Sequence, residues 1–148
     1  MKPSFRYLDP RHLVRRRLNG RTPPRWEAAV LCFRDLPGTR DMQQVLGGTP
    51  LRHRVLYSRG YAAGHDEVRS LTLGGRRIGI VGDVEWGGPQ TAIFVEELAA
   101  LRVRRIIGLG CCGALVPSLN RGDQVVAEAA PATDGTSAWY GGGTGRAD

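Results

Sequence analysis

The sequence lacks a long apolar run, and this shortage excludes a membrane protein. Its longest apolar run is Ala28 to Phe33, whereas a membrane-spanning helix needs about 20 such residues. The apolar core of a secretory signal is missing too, because the arginine-rich stretch Arg11–Arg17 occupies its place. We therefore expect a cytoplasmic protein that has no membrane partner.

Cysteine and histidine are also scarce, with three residues of each type. Cys111 and Cys112 are adjacent, which disfavours a bridge between them, and Cys32 lies far away in sequence. This usage fits a reducing compartment rather than a disulfide framework. No Cys-x-x-Cys pair is present and the histidines stand singly, so the sequence predicts no metal site and no cofactor.

The excess positive charge is confined to the start of the chain. The net charge is +7, and residues 1–25 account for all of it, because residues 26–148 hold equal numbers of acidic and basic residues. No series of aromatic residues is interleaved with the arginines, as platforms for nucleic acid require. We therefore interpret residues 1–25 as a basic arm that is solvated or packs against another subunit, with nucleic-acid binding as the alternative.

The pattern of residues 26–140 predicts an α/β domain, followed by a flexible glycine-rich tail over residues 141–148. The predicted strands are Ala28–Phe33, Arg54–Tyr57, Val68–Leu73, Ile78–Val81, Ile106–Leu109 and Asp123–Ala127. Gly74-Gly75 predicts a hairpin turn. The predicted helices are Arg40–Leu46 and Gln90–Leu101. The second helix has an expected apolar stripe of Ala92, Val95 and Leu98 or Ala99, with Glu96 and Glu97 partly on the opposite face.

Residues 78–109 follow the order strand, glycine-rich loop, helix, strand. This βαβ order predicts a largely parallel or mixed twisted sheet with flanking helices. The Gly82–Gly88 loop and the Gly110–Gly113 turn both follow strands of this unit, so both are expected to face one crevice. Backbone N–H groups at such turns bind anions; tight packing of the chain is the alternative role of these glycines.

Two other interpretations of the Gly108–Gly113 segment are weaker. Its GxGxxG spacing matches the dinucleotide fingerprint, but Pro117 ends any following helix within one turn. We therefore exclude NAD binding. A nucleophilic Cys111 or Cys112 is a separate hypothesis, but it needs a nearby base that the sequence does not place.

Five segments occur in a fixed order in the second half of the chain. They are Gly87-Gly88-Pro89, Val95–Leu98, Arg105–Ala114, Asn120–Val126, and Asp134–Ser137 with Tyr140. This series closely resembles the nucleoside phosphorylase family, which includes uridine and purine nucleoside phosphorylases and related nucleosidases. The resemblance implies an incomplete phosphorylase-type fold that cleaves the bond between a nucleoside base and its ribose.

The resemblance also implies which residues hold phosphate and ribose. The family's first glycine-rich segment maps to Gly87 and Gly88, and its second maps to Gly110, Cys111, Cys112 and Gly113. The family's phosphate-binding arginine maps to Arg40, with Arg34 as a rival. Nucleoside and inorganic phosphate are the implied partners, phosphate acting as co-substrate.

Several positions depart from the family pattern. Gly108 stands where uridine-type enzymes carry a second phosphate-binding arginine, which favours a hydrolytic or divergent activity. Glu85 and Gln90 replace the usual glycine and serine, and nothing matches the family's later Glu-Met-Glu segment. We expect the N-terminal half of the fold, assembled as a homo-oligomer that covers its open strand edges. The alternative is a catalytically silent fragment or a ligand-binding module that keeps only the phosphate and ribose crevice.

Overall fold

Two units make up the chain, Met1–Gly110 and Cys111–Asp148. The computed structural model describes residues 9–57, 68–84, 87–141 and 145–146. Within these residues the first unit holds a five-stranded sheet and three α-helices, and the second holds a two-stranded sheet and one short 3-10 helix.

The sheet of the first unit is mixed. Its strands are β1 (Ala28–Phe33), β2 (Thr49–Pro50), β3 (Val68–Leu73), β4 (Arg76–Val81) and β5 (Arg105–Gly110). They are ordered β2-β3-β4-β1-β5. β1 is parallel to both of its neighbours, whereas β3 is antiparallel to β4 and to β2. The predicted α/β fold with a mixed sheet and flanking helices is confirmed, as is the Gly74-Gly75 hairpin between β3 and β4.

Burial follows the position of each strand in the sheet. β1 is central, and its residues Ala29, Leu31 and Cys32 are almost completely buried, as expected for a strand covered on both faces. β5 lies at the edge, where Ile107 is 58% and Leu109 44% exposed.

Each helix of the first unit carries a proline in its first turn, where no N–H partner is needed. The helices are α1 (Pro10–Leu18), α2 (Leu36–Leu46) and α3 (Gly88–Ala100). Asp9 caps α1 by accepting from the Arg11 N–H, and Asp35 caps α2 by accepting from the Gly38 N–H, both at 3.0 Å. The Asp35 cap explains why α2 begins before the predicted start at Arg40. Among the described residues no helix is long and apolar enough to cross a membrane.

The buried face of α3 differs from the predicted stripe. Phe94 and Leu98 are fully buried, whereas Val95 is 39% exposed and Ala99 is exposed. Glu97, expected partly on the opposite face, is also buried. The prediction was wrong because the large side chains at spacing four, and not the more numerous small ones, determine which face packs on the core.

The start of the chain contributes to the core instead of forming a solvated arm throughout. α1 packs against α3, and its Val14 and Leu18 are 3% and 7% exposed. Arg15 and Arg16 point to solvent on the other face. The interpretation of residues 1–25 as an arm therefore fails for Pro10–Leu18, since two apolar residues four apart make this charged segment an amphipathic helix.

The segment Arg54–Tyr57, predicted as a strand, forms none. Val55 and Leu56 are buried in the core of the first unit. The Tyr57 N–H donates to Oε1 of Glu97 at 3.0 Å rather than to a neighbouring strand. Its apolar residues therefore serve core packing, and a side chain takes the place of a strand partner.

The second unit contains little regular structure. β6 (Ala129–Ala130) pairs antiparallel with β7 (Gly145–Arg146), and a 3-10 helix covers Ser137–Tyr140. The predicted strand Asp123–Ala127 is wrong, since its residues form no strand and Val126 is 86% exposed. β7 lies within the predicted flexible tail, whose residues 142–144 and 147–148 are outside the described residues.

We expect Gly79→Ala to destabilise the first unit by about 1–3 kcal/mol, because overpacking forces side chains to move. A Cβ atom at this position of β4 would lie 2.5 Å from the buried Trp26 ring. The ring is held in place, since its Nε1 donates to Ser70 Oγ at 3.1 Å. Urea unfolding measures the effect. Gly135→Ala, where an added Cβ meets no atom within 4 Å, is the matched control; equal stability of the two variants would contradict the packing argument.

Candidate functional site

The loops that follow β1 and β4 are joined at the carboxyl edge of the parallel strands. The Val84 N–H donates to the carbonyl oxygen of Cys32 at 3.0 Å. The Asp83 N–H donates to Oγ1 of Thr39 at 2.8 Å, and this hydroxyl lies 3.4 Å from the carbonyl oxygen of Arg34. Thr39 is completely buried. One hydroxyl on α2 therefore fixes both loops at the edge where open α/β sheets bind ligands.

Arg34 is held over the first turn of α2. A Cβ atom at Gly38 would lie 2.5 Å from Nε of Arg34 and 2.8 Å from the Asp35 carboxylate. Only glycine leaves room for this guanidinium beside the helix start. Arg40 lies further along α2 and is exposed. Of the two predicted phosphate-binding arginines, Arg34 is thus the one that directly follows a parallel strand and packs at this edge.

Gly87 and Gly88 lie at the start of α3. Gly87 has φ +123°, a value that L side chains rarely adopt, and it occupies the N-cap position. Its carbonyl accepts from the Thr91 N–H at 3.1 Å and from Oγ1 of Thr91 at 2.9 Å. Among the described residues no side chain caps this helix start. Its first-turn N–H groups thus point outward in the arrangement that binds phosphate groups.

Gly108 and Gly110 lie on β5 opposite Leu31 and Phe33 of β1. A Cβ atom at Gly108 would lie 3.3 Å from Cε2 of Phe33, and one at Gly110 would lie 3.5 Å from Cβ of Phe33. The Phe33 ring therefore occupies the space beside position 108. A side chain larger than hydrogen there requires this ring to move.

Cys111, Cys112 and Gly113 belong to the second unit. They are exposed and lie in neither a helix nor a strand. None of the three cysteines of the chain is in a disulfide bond. The structure thus brings Arg34, Gly110 and the loop after β4 to one edge of the first unit, and the Cys111–Gly113 part of the predicted site lies across the unit boundary. Among the described residues no three His, Cys, Asp or Glu side chains cluster as metal ligands would.

Asp134 forms a compact polar turn in the second unit. Its carboxylate accepts hydrogen bonds from Oγ of Ser137, from the Ser137 N–H at 3.0 Å and from the Thr136 N–H at 2.7 Å. These bonds, that from the Ser137 hydroxyl foremost, stabilise the charged form and lower the pKa of Asp134 from 3.8 to about 2. The carboxylate is therefore suited to hold the 3-10 helix start, and not to exchange a proton near neutral pH.

Two of these residues, Thr39 and Glu97, were not singled out by sequence reasoning as functional. Thr39 matches no motif, and its role depends on α2 starting at Leu36. Glu97 resembles its exposed-face neighbour Glu96 in composition; only its acceptance of the Tyr57 N–H distinguishes it. No local signal in the sequence could have identified either one.

The mixed sheet and its glycine-flanked carboxyl edge define an α/β protein with an anion-binding edge. The family model described as Phosphorylase superfamily matches residues 41–147, most of the chain. The chain therefore belongs to the phosphorylase superfamily, as the resemblance implied.

Several characterised relatives are similar over part of this chain. The uridine phosphorylase of Salmonella typhimurium is 42% identical over 77 residues, which cover 51% of this chain and 30% of that enzyme. The uridine phosphorylase of Thermococcus kodakarensis is 46% identical over 54 residues, covering 36% and 20%. The guanosine phosphorylase of Halorubrum lacusprofundi is 44% identical over 54 residues, covering 36% and 22%. The matches thus span less than a third of these relatives' lengths.

We expect Thr39→Val to lower the free energy of unfolding by about 1–3 kcal/mol, since it leaves the Asp83 N–H without its acceptor. Hydrogen exchange at the Asp83 amide is expected to accelerate at the same time. Thr39→Ser keeps the hydroxyl and is the matched control. If the serine variant loses as much protection at Asp83 as the valine variant, the hydroxyl is not what joins the loops.

We expect Asp134 to titrate with a midpoint of about 2 in carboxyl-carbon NMR spectra. Ser137→Ala removes the largest cause of the shift, so the midpoint is expected to rise towards 3.8. Because the folded pKa is depressed, the turn is stabilised at pH values above 3.8 and loses that stabilisation as the pH falls through about 2. An unchanged midpoint in Ser137→Ala would contradict the assigned hydrogen bond.

Proposed function

We propose that this chain supplies the phosphate-binding part of a nucleoside phosphorylase and acts in cleavage of the N-glycosidic bond of a purine or pyrimidine nucleoside. Membership of the phosphorylase superfamily supports this, as do relatives named uridine and guanosine phosphorylase. The observation that carries the proposal is the Thr39 hydroxyl joining the loops after β1 and β4 at one edge.

The chemistry needs a phosphate held in line with the ribose. A phosphate oxygen forms a bond to the anomeric carbon while the bond from that carbon to the base nitrogen breaks, and the base leaves with the electron pair and gains a proton. Fixing phosphate and ribose in this geometry lowers the entropic part of the barrier. The first unit offers the Arg34 guanidinium and the N–H groups at the start of α3 for this task.

Gly108 favours a second candidate function, hydrolysis or silent ligand binding. Phosphorylases of the uridine type, as the resemblance implies, carry an arginine at this position. Here Phe33 lies against it, with its Cε2 atom 3.3 Å from a Cβ that position 108 would carry. With one phosphate ligand fewer, water becomes the competing acceptor. The exposed Ile107 and Leu109 of β5 further support the proposed homo-oligomer, because association would remove this apolar edge from water.

We expect the purified 148-residue chain to release free base from a panel of nucleosides only when phosphate is present, measured by chromatography. Arg34→Gln is expected to lower the rate at least about tenfold, the loss of one charged hydrogen bond. Arg40→Gln tests the rival arginine, and Arg76→Gln, an exposed change on β4, is the control.

Each other outcome of this assay decides between the candidates. Equal release with and without phosphate makes the chain a nucleosidase and contradicts phosphorolysis. No release under either condition contradicts catalysis by this chain and leaves the ligand-binding module. A loss in Arg40→Gln with none in Arg34→Gln assigns the phosphate to the exposed arginine.

A further inference from the structure

A cavity of about 270 Å³ in the first unit is lined by four arginines and one histidine. The lining residues are Arg17, Arg21, Arg52, His53 and Arg54. Two come from the last turn of α1 and the residues just after it, and three follow β2. None belongs to the loops after β1, β4 or β5, so this basic cavity is separate from the candidate phosphate and ribose site.

Two of these side chains carry buried polar atoms without partners. Nε and Nη2 of Arg17 and Nε2 of His53 are shielded from solvent, and no hydrogen-bond partner for them exists among the described residues. Leaving a buried donor unpaired is costly, the more so on a charged group. Such groups in a native protein indicate a bound species that supplies the missing acceptors.

The charge of the basic cavity has one sign. No Asp or Glu is among the described residues that line it. Four guanidinium groups around one small space repel each other, and an anion between them reverses that repulsion. This is also where part of the excess charge of residues 1–25 lies, since Arg17 and Arg21 come from that segment.

We infer that the basic cavity binds a small multivalent phosphate anion, for which inorganic pyrophosphate is the simplest probe. Guanidinium groups match phosphate oxygens in paired hydrogen bonds, and several of them around one ligand call for more than one negative charge. The volume lies below the roughly 300–1,000 Å³ of pockets for drug-sized ligands. A compact anion therefore fits better than a whole nucleoside.

Titration calorimetry of the full chain with pyrophosphate at low ionic strength tests this inference. We expect single-site binding that weakens with added salt and is at least about tenfold weaker in Arg17→Gln and in Arg52→Gln, the loss of one charged contact. Arg52 is exposed, so its variant is expected to fold normally, and circular dichroism melting checks this. Arg104→Gln, also exposed and outside the cavity, is the matched control.

Further arms separate this site from its alternatives. Inorganic phosphate shows whether a second phosphoryl group is needed, and its binding as tightly as pyrophosphate would overturn the multivalent assignment. Arg34→Gln is expected to leave pyrophosphate binding unchanged, which keeps the result independent of the proposed phosphorylase site; a loss there would overturn a separate cavity. Absence of binding at millimolar pyrophosphate, or an equal loss in Arg104→Gln, would overturn the inference. Displacement of pyrophosphate by a short single-stranded oligonucleotide at lower concentration would assign the arginines to nucleic acid instead.

Discussion

The parallel pairing of β1 with both β4 and β5 is the constraint on which the first unit depends. Since β4 and β5 flank the same strand, the chain between them must cross over β1, and α3 makes that crossing. The crossing brings three strand ends to one edge and buries Phe94 and Leu98 against the sheet side of α3. α1 then packs on α3, so even the charged start of the chain takes its place from this pairing.

The features that local sequence could predict are those that depend on local physics. The apolar run of β1 and the Gly-Gly turn between β3 and β4 were predicted with correct positions, because continuous burial and a two-residue hairpin leave a signal in adjacent residues. The charged α1 and the strand-like Arg54–Tyr57 were predicted wrongly. Their states depend on distant partners, α3 and Glu97, which no local window contains.

The candidate site divides in the same way. Sequence reasoning predicted that glycine-rich turns follow the parallel strands, and the structure places Gly87 at the start of α3 and Gly110 at the end of β5. It could not predict that Thr39 joins two of the loops, since that bond spans 44 residues. It also could not predict the basic cavity, because Arg17 and Arg52 are separated by most of β1 and α2 and meet only in the folded chain.

The contact between Phe33 and Gly108 also constrains how this lineage can change. An arginine arising at position 108 by a single mutation would meet the Phe33 ring, because even a Cβ atom there lies 3.3 Å from Cε2. A smaller residue at position 33 would have to come first, or together with it. The two positions are therefore expected to be epistatic, and a return to the arginine-bearing pattern is a two-step path whose intermediate leaves the end of β1 underpacked.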